Sequence, residues 1–308
     1  MTGATRRVAA GAAVVVCGLA LATAATGGRQ ASAPPPALSS LALAVDDFQP
    51  GAKVNLERSE RLGGQPVFVR RFSAGVRVSA QPLLSAVSEV ILYDGAASAA
   101  NDFVFLDSQL HTVAGRRAFA KALSGQIATG AKVKVKVKVS GVTVGVPAGL
   151  GTHELRVPIV IATNRGRLTI AFDLMQVDRV IGYVFLTGLL GERVSTADAV
   201  RAAASAKARL VAGFTVASTA PPTISGTAAQ GQALTVDEGT WTGAPSSFGY
   251  SWARCDPAGV TCTPIAGATA RTYVPGPADS GSTLRVTVTG TNSVGSQQAD
   301  SAVTPVVT

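Results

Sequence analysis

The sequence predicts an α+β domain, a mostly antiparallel sheet with helices on one face, followed by a small all-β sandwich. Three observations carry this. Between residues 66 and 186, runs rich in β-branched and aromatic residues alternate with Ala-rich helical patterns. A Ser/Thr/Ala/Pro stretch near residue 216 breaks the chain. The last third is rich in Gly, Thr, Ser and Val, with short strand-like runs at regular spacing and two cysteines, Cys255 and Cys262.

The chain opens with Arg6 and Arg7 ahead of an apolar run from Val8 to Ala25, the layout of a secretory leader. Ala22-Thr-Ala24 offers small residues for cleavage, giving a signal peptide over 1–24. The alternative is a retained anchor, since such a run is just long enough to span a bilayer. Cys17 makes a poor lipid-attachment site, because Val16 stands where a small residue is needed. A disordered Pro/Ala/Ser-rich spacer is expected over 25–44, the α+β domain over 45–216, a linker over 217–222 and the sandwich over 223–308. A secreted or cell-surface location follows from the leader.

Pro66 to Phe72, Gly75 to Ala80 and Val87 to Tyr93 read as strands bounded by Gly, Pro or Asp. Ala96 to Leu110 then reads as a helix with Ala99, Phe103, Leu106 and Leu110 on one face, and a second helix follows over Gly115 to Leu123. Strands return at Lys132 to Val139, Glu154 to Ala162, Arg167 to Leu174 and Val180 to Leu186. Asn164-Arg-Gly166 supplies a hairpin turn. A closing helix from Ser195 to Gly213 has Val200, Ala203, Ala204, Leu210, Val211 and Phe214 as its inward stripe.

Lys132 to Val139 alternates lysine with valine without a break, so a strand puts Lys132, Lys134, Lys136 and Lys138 on one face. The bland reading is a solvated face whose lysines discourage edge pairing. The functional reading is a candidate anion-binding ladder, since same-face residues lie about 6.6 to 6.8 Å apart.

Charge supports a basic α+β domain. The net charge is +9, yet residues 221–308 hold three Arg, no Lys and five Asp or Glu. A basic exported domain suits an anionic envelope polymer or surface protein. Nucleic acid is a poor partner, because no aromatics interleave with the basic residues for base stacking. A membrane partner is expected only if the leader is retained.

The search for catalytic chemistry returns negatives. There is no Gly-x-Ser-x-Gly elbow, no His-Glu-x-x-His and no dinucleotide-binding fingerprint. Gly125 to Lys132 resembles a phosphate loop only superficially, with Ala131 at the lysine position. Asp107 and His111 share a helical face but read as a surface pair without a nucleophile. Asp94, Asp173, Asp178 and Glu192 cannot be paired across a cleft from sequence alone. No catalytic residue, cofactor or metal site is assigned. The expected function is non-catalytic binding, with an extracellular hydrolase or a carrier of a lipid or small apolar ligand as alternatives.

Once the leader is removed, Cys255 and Cys262 are an even pair in an exported chain and read as a disulfide. Short strands are expected at Thr223 to Thr227, Ala233 to Asp237, Phe248 to Cys255, Arg271 to Val274, Thr283 to Asn292 and Ser301 to Val307. With Ile224-Ser-Gly226, Gly231-Gln-Ala-Leu234, Gly239-Thr-Trp241, Tyr250-Ser-Trp252-Ala-Arg-Cys255, Tyr273, Ala278-Asp279, Leu284-Arg-Val286 and Asn292-Ser-Val-Gly295, this region resembles the Ig-like modules of bacterial, especially actinobacterial, secreted and surface proteins. The resemblance implies extracellular presentation, adhesion or spacing. It places Trp252 in the sandwich core and Tyr250 and Trp241 at its ends. The order of strands and helices in the larger domain has a weaker similarity to exported PsbP-like or Mog1-like α+β domains, which implies binding or assembly.

Overall fold

The computed structural model describes residues 37–308 apart from 63, 74, 132–135, 140–142, 145–152 and 164–165. The expected leader, residues 25–36 of the spacer, Lys132 and Lys134 lie outside the described residues; residues 37–44, expected to be disordered, instead form a helical turn at Leu38–Leu41 and bury Leu41, Ala42 and Leu43. The chain divides into two compact units at Ala212/Gly213.

The first unit is built on one antiparallel sheet. Its strands are β1 (Lys53–Leu62), β2 (Gln65–Ser73), β3 (Leu83–Leu92), β4 (Lys136–Val139), β5 (Thr143–Val144), β6 (His153–Thr163), β7 (Gly166–Val177) and β8 (Val180–Gly188). They lie in the order β1-β2-β3-β8-β7-β6-β4, with β5 also paired to β6. Besides a single turn at Leu38–Leu41, the helices are α1 (Ala96–His111), α2 (Val113–Ala131) and α3 (Thr196–Phe214). The expected class, an antiparallel α+β domain followed by an all-β sandwich, is what the structure adopts.

Strand periodicity assigns the two faces of the sheet. On β6 and β7, Leu155, Val157, Ile159, Phe172 and Leu174 enter one core with Ala99, Phe103, Leu106 and Leu110 of α1 and Phe119 and Leu123 of α2. The α1 stripe is the one the sequence predicts. At the centre of this core Phe172 stacks on Phe185 at 4.7 Å, on Tyr183 at 6.0 Å and on Phe119 at 6.3 Å.

The expectation of helices on one face needs correction. Gly182 lies between Ile181 and Tyr183, both in the α1/α2 core, so it faces the other way. A Cβ there would lie 2.8 Å from Leu210 Cδ1 of α3. Helix α3 therefore packs on the opposite face, and Gly182 admits its leucine. The inward stripe of α3 is also rotated from the predicted one. Ala199, Ala202, Ala203, Ala206, Leu210 and Phe214 are buried, while Val200 and Ala204 are exposed.

Other boundaries shift for local reasons. Residues 75–80 form no strand beyond a single bridge between Arg77 and Pro82. Strand β1 carries charges on successive turns of its pleat and escapes a hydrophobic-period search, as edge strands often do. Its Arg58 and Glu60 pair at 3.0 Å. Helix α2 continues to Ala131. Residues 217–220, expected in a linker, form strand β9 (Ala217–Ala220) paired with β12 (Thr240–Thr242).

The second unit is an Ig-like β-sandwich. One sheet is β14 (Cys262–Pro264), β13 (Ser247–Cys255), β16 (Thr283–Thr291) and β17 (Ser296–Asp300), and another is β10 (Thr223–Ser225), β11 (Leu234–Asp237) and β15 (Thr272–Tyr273). Trp252 is fully buried with Trp241, Leu234, Val236, Leu284, Val286 and Val288. Its Nε1 donates to Ala270 O at 2.9 Å, as a buried indole requires. Tyr250 is partly buried and donates its hydroxyl to Glu238. The expected strand over 301–307 is absent. Along this tail Val286 N and Leu284 N donate to the hydroxyls of Ser301 and Thr304, so side chains stand where a ladder would use carbonyls. Cys255 and Cys262 face each other across β13 and β14 and are bonded.

Two outcomes are expected. Cys255→Ser with Cys262→Ser should lower the stability of the sandwich by about 2 to 3 kcal/mol, the chain-entropy value for a short loop, read by denaturant unfolding followed through Trp fluorescence. Glu89 lies in the α1/α2 core beside Tyr183, with Oε1 lacking a hydrogen-bond partner. Burial first, then Glu60, lifts its pKa to about 8 against the pull of Arg58. The folded state thus holds a proton that the unfolded chain releases above about pH 4.5, and the stability this contributes is lost as pH rises towards 8. Glu89→Gln should gain on wild type by a few kcal/mol, in order of magnitude, between pH 4.5 and 8. A difference that stays constant across that range would refute the assignment.

Candidate functional site: a basic groove on the α3 face

The pairing of β6 decides which side chains meet. Since Leu155, Val157 and Ile159 point into the α1/α2 core, Glu154, Arg156, Pro158, Val160 and Ala162 point to the opposite face. Strand β4 pairs Lys136 with Ala162 and Lys138 with Val160, while Val139 pairs with Ile159 and packs on the core. Strand β7 pairs Arg167 with Ala162, Thr169 with Val160, Ala171 with Pro158 and Asp173 with Arg156. The lysines therefore stand in rows with Arg167 and Thr169, on the face that α3 shares.

Helix α3 begins at Thr196 and leaves this end of the sheet open. A groove of about 730 Å³ results, with Lys136, Lys138, Arg156, Arg167 and Arg193 among its walls and Pro158, Val160, Ala162, Thr169 and Ala171 along its floor. The small floor residues give the groove its depth. Proline suits the position because β6 changes partner there, from β5 at Leu155 and Arg156 to β4 at Ile159.

Arg193 comes from the connection between β8 and α3, and that connection is clamped. Gly191 N donates to Arg167 O at 2.8 Å, Thr169 Oγ1 donates to Glu192 O at 2.8 Å, and Val194 N donates to Thr169 Oγ1 at 3.1 Å. Ser195 then opens α3, its Oγ accepting from Asp198 N at 3.0 Å. One threonine hydroxyl thus fixes both sides of Arg193.

The charges differ in state. Arg156 is committed: its Nε meets the fully buried Asp173 at 2.5 Å and its Nη2 lies 3.6 Å from Glu154, which Lys207 of α3 approaches at 3.9 Å. Burial outweighs the attraction of Arg156 and raises the Asp173 pKa to about 7. Lys136, Lys138, Arg167 and Arg193 are exposed, and among the described residues no carboxylate lies within ion-pair distance of any of them.

The remaining sequence candidates fall elsewhere. Asp107 and His111 form a solvent-facing pair at 3.0 Å on α1. Asp178 turns the β7–β8 hairpin at φ +51°, accepting from Arg179 N. Among the described residues no group of three His, Cys, Asp or Glu is placed to hold a metal ion, and no helix is long and apolar enough to cross a membrane. The sequence reading missed Arg156, Arg167 and Arg193. The first two were legible as the polar positions of β6 and β7 that share the lysine face; Arg193 sits in a loop with no period to mark it.

No family model matches the chain, and no curated protein matches it. Among solved structures, the extracellular domain of PknH from Mycobacterium tuberculosis aligns with a TM-score of 0.35 at 12% identity, over 57% of this chain and 97% of that one. Domains A168–A170 of titin align with a TM-score of 0.24 at 10% identity, over 84% and 99%. Likenesses this distant carry no functional argument, and the PsbP-like or Mog1-like resemblance finds no support among them.

Thr169→Val should test the clamp. Loss of the hydroxyl leaves Glu192 O and Val194 N without their partner, so a cost of about 1 to 2 kcal/mol is expected, together with faster hydrogen exchange at residues 191–195. Unchanged exchange there would mean that the loop is held by other contacts.

Proposed function

We propose that this chain is a secreted or cell-surface, non-catalytic binding protein. Its α+β domain holds an anionic component of the cell envelope in the basic groove, and its Ig-like module serves presentation or adhesion. The observation that supports this reading is the convergence of four cations without carboxylate partners on one concave site. Unpaired cations repel one another, and a groove that gathers them is stabilised by an anion that fills it. The leader-like N-terminus and the disulfide agree with an exported chain.

Sedimentation of the protein with purified envelope fractions tests the reading, comparing wild type with Lys136→Ser/Lys138→Ser. Wild type should pellet with the fraction at low salt. Four contacts to a flexible polyanion lose about fifty-fold in affinity over a fourfold rise in salt, and the variant should lose much of the binding at either salt. Folded wild-type protein that stays in the supernatant would refute the proposal.

A further inference from the structure

The groove's two walls and its floor differ in chemistry, and the difference bears on what fills it. On one wall stand Lys136 and Lys138, about 6.6 to 6.8 Å apart along β4. On the other stand Arg167 and Arg193, both lining the groove, on backbone segments tied together where Gly191 N is bonded to Arg167 O and Thr169 clamps both neighbours of Arg193. Lys136 and Arg167 are separated by β6 alone, so their backbones lie two strand spacings apart, about 9.5 Å. Both side chains are long enough to reach a chain lying between them.

Among the described residues the floor offers little to a hydroxyl, and the exposed Thr196 at the start of α3 is the one hydroxyl besides Thr169 that lines the groove. Pro158, Val160, Ala162 and Ala171 carry no polar side-chain atoms, and the Thr169 hydroxyl is already both donor and acceptor within the loop clamp. A polysaccharide of uronic acids would bring several hydroxyls per charge over this floor and leave them without partners, at a cost for each one desolvated. A chain whose charges are dense and whose linking atoms carry no hydroxyl has no such cost. Guanidinium pairs also suit phosphate, because they present parallel N–H donors to its oxygens. The groove is concave, so a flat array of lipid headgroups meets its rims and not its floor.

From these features we infer that the groove takes a phosphate-linked linear polymer, with Arg167 and Arg193 as the residues that select phosphate and Lys136 and Lys138 as the opposing charge rail. The inference rests on the anion-binding reading above and narrows it to one ligand chemistry. No bond is made or broken in the ligand.

The test is binding of the full-length protein to three probes by calorimetry at fixed ionic strength. The probes are linear inorganic polyphosphate, polygalacturonate matched for total charge, and vesicles containing phosphatidylglycerol. Polyphosphate is expected to bind at least tenfold more tightly than polygalacturonate. Arg167→Gln/Arg193→Gln should remove most of that preference and lower the salt slope by about 1.4, the value for two contacts on a single-stranded polyanion. Lys136→Gln/Lys138→Gln should weaken both polymers alike. All four positions are exposed, and unchanged thermal unfolding of each variant separates lost binding from lost folding.

Equal or tighter binding of polygalacturonate would overturn the phosphate inference while leaving an anion-binding groove. Binding to vesicles but not to free polyphosphate would replace the polymer with a membrane surface. An arginine variant that keeps full preference would move the contact out of this groove. If folded wild type bound no probe and no envelope fraction, the anion-binding reading would fall with it.

Discussion

The antiparallel register of β6 between β7 and the β4/β5 edge is the constraint on which the first unit depends. A strand alternates its side chains, so once Leu155, Val157 and Ile159 are committed to the α1/α2 core, every second residue is committed to the other face. Pairing then passes that commitment to the neighbours. Phe172 and Leu174 join the core from β7, and Asp173 and Arg167 are sent to the opposite side. Val139 reaches the core from β4, and Lys136 and Lys138 follow Arg167. A one-residue slip of β6 would bury Arg156 among aromatic rings, and this penalty holds the groove's composition in place.

The two sides of the sheet are covered by different means. Helices α1 and α2 bring Phe and Leu side chains to a broad aromatic core, whereas α3 approaches with alanines and one leucine that fits over Gly182. Small residues let a helix lie close, but they cover little area. The α3 face is covered by that helix and, over β2 and β3, by the segment before β1, where Leu43 N donates to Ser88 Oγ at 3.1 Å and Phe48 packs on Phe72 at 4.7 Å. Beyond Thr196, among the described residues, no helix covers the β6/β4 end, and Pro158 of β6 is exposed there. The groove is the uncovered remainder of a face whose other part needs burial.

Much of this was legible in the sequence, and the gaps have physical causes. The α1 stripe of Ala99, Phe103, Leu106 and Leu110 was readable because four buried residues repeat at helical spacing. The Lys/Val alternation marked its polar face, although the sequence has no means of saying which strand lies beside it. Strand β1 was missed because Arg58 and Glu60 occupy positions where a buried strand would carry apolar residues. The stripe of α3 was misplaced because its alanines are nearly uniform around the helix. In the sandwich, Trp252 and the cysteine pair were apparent from residue type, but the tail over 301–307 was read as a strand. Its Ser301 and Thr304 hydroxyls accept from β16 in place of carbonyls, a substitution that no hydrophobic period records.

The pairing of Arg156 explains why the groove stays positive. Were Asp173 and Glu154 free to reach along the face, their charge would offset the lysines and arginines nearby. Arg156 holds Asp173 directly, and Glu154 is approached by Arg156 from within β6 and by Lys207 from α3. Both acids are thereby engaged locally, at the end of the face that α3 covers, although Asp173 Oδ2 has no hydrogen-bond partner. Protonation acts in the same direction: burial raises the Asp173 pKa to about 7, so the acid is partly neutral near that pH and increasingly so as pH falls. Lys136, Lys138, Arg167 and Arg193 stand at the open end, where water moderates their mutual repulsion. On β4, β6 and β7 the matched charges thus lie toward the helix and the unmatched ones beyond it. That separation makes a region of positive potential from strands that individually alternate polar and apolar residues in an ordinary way.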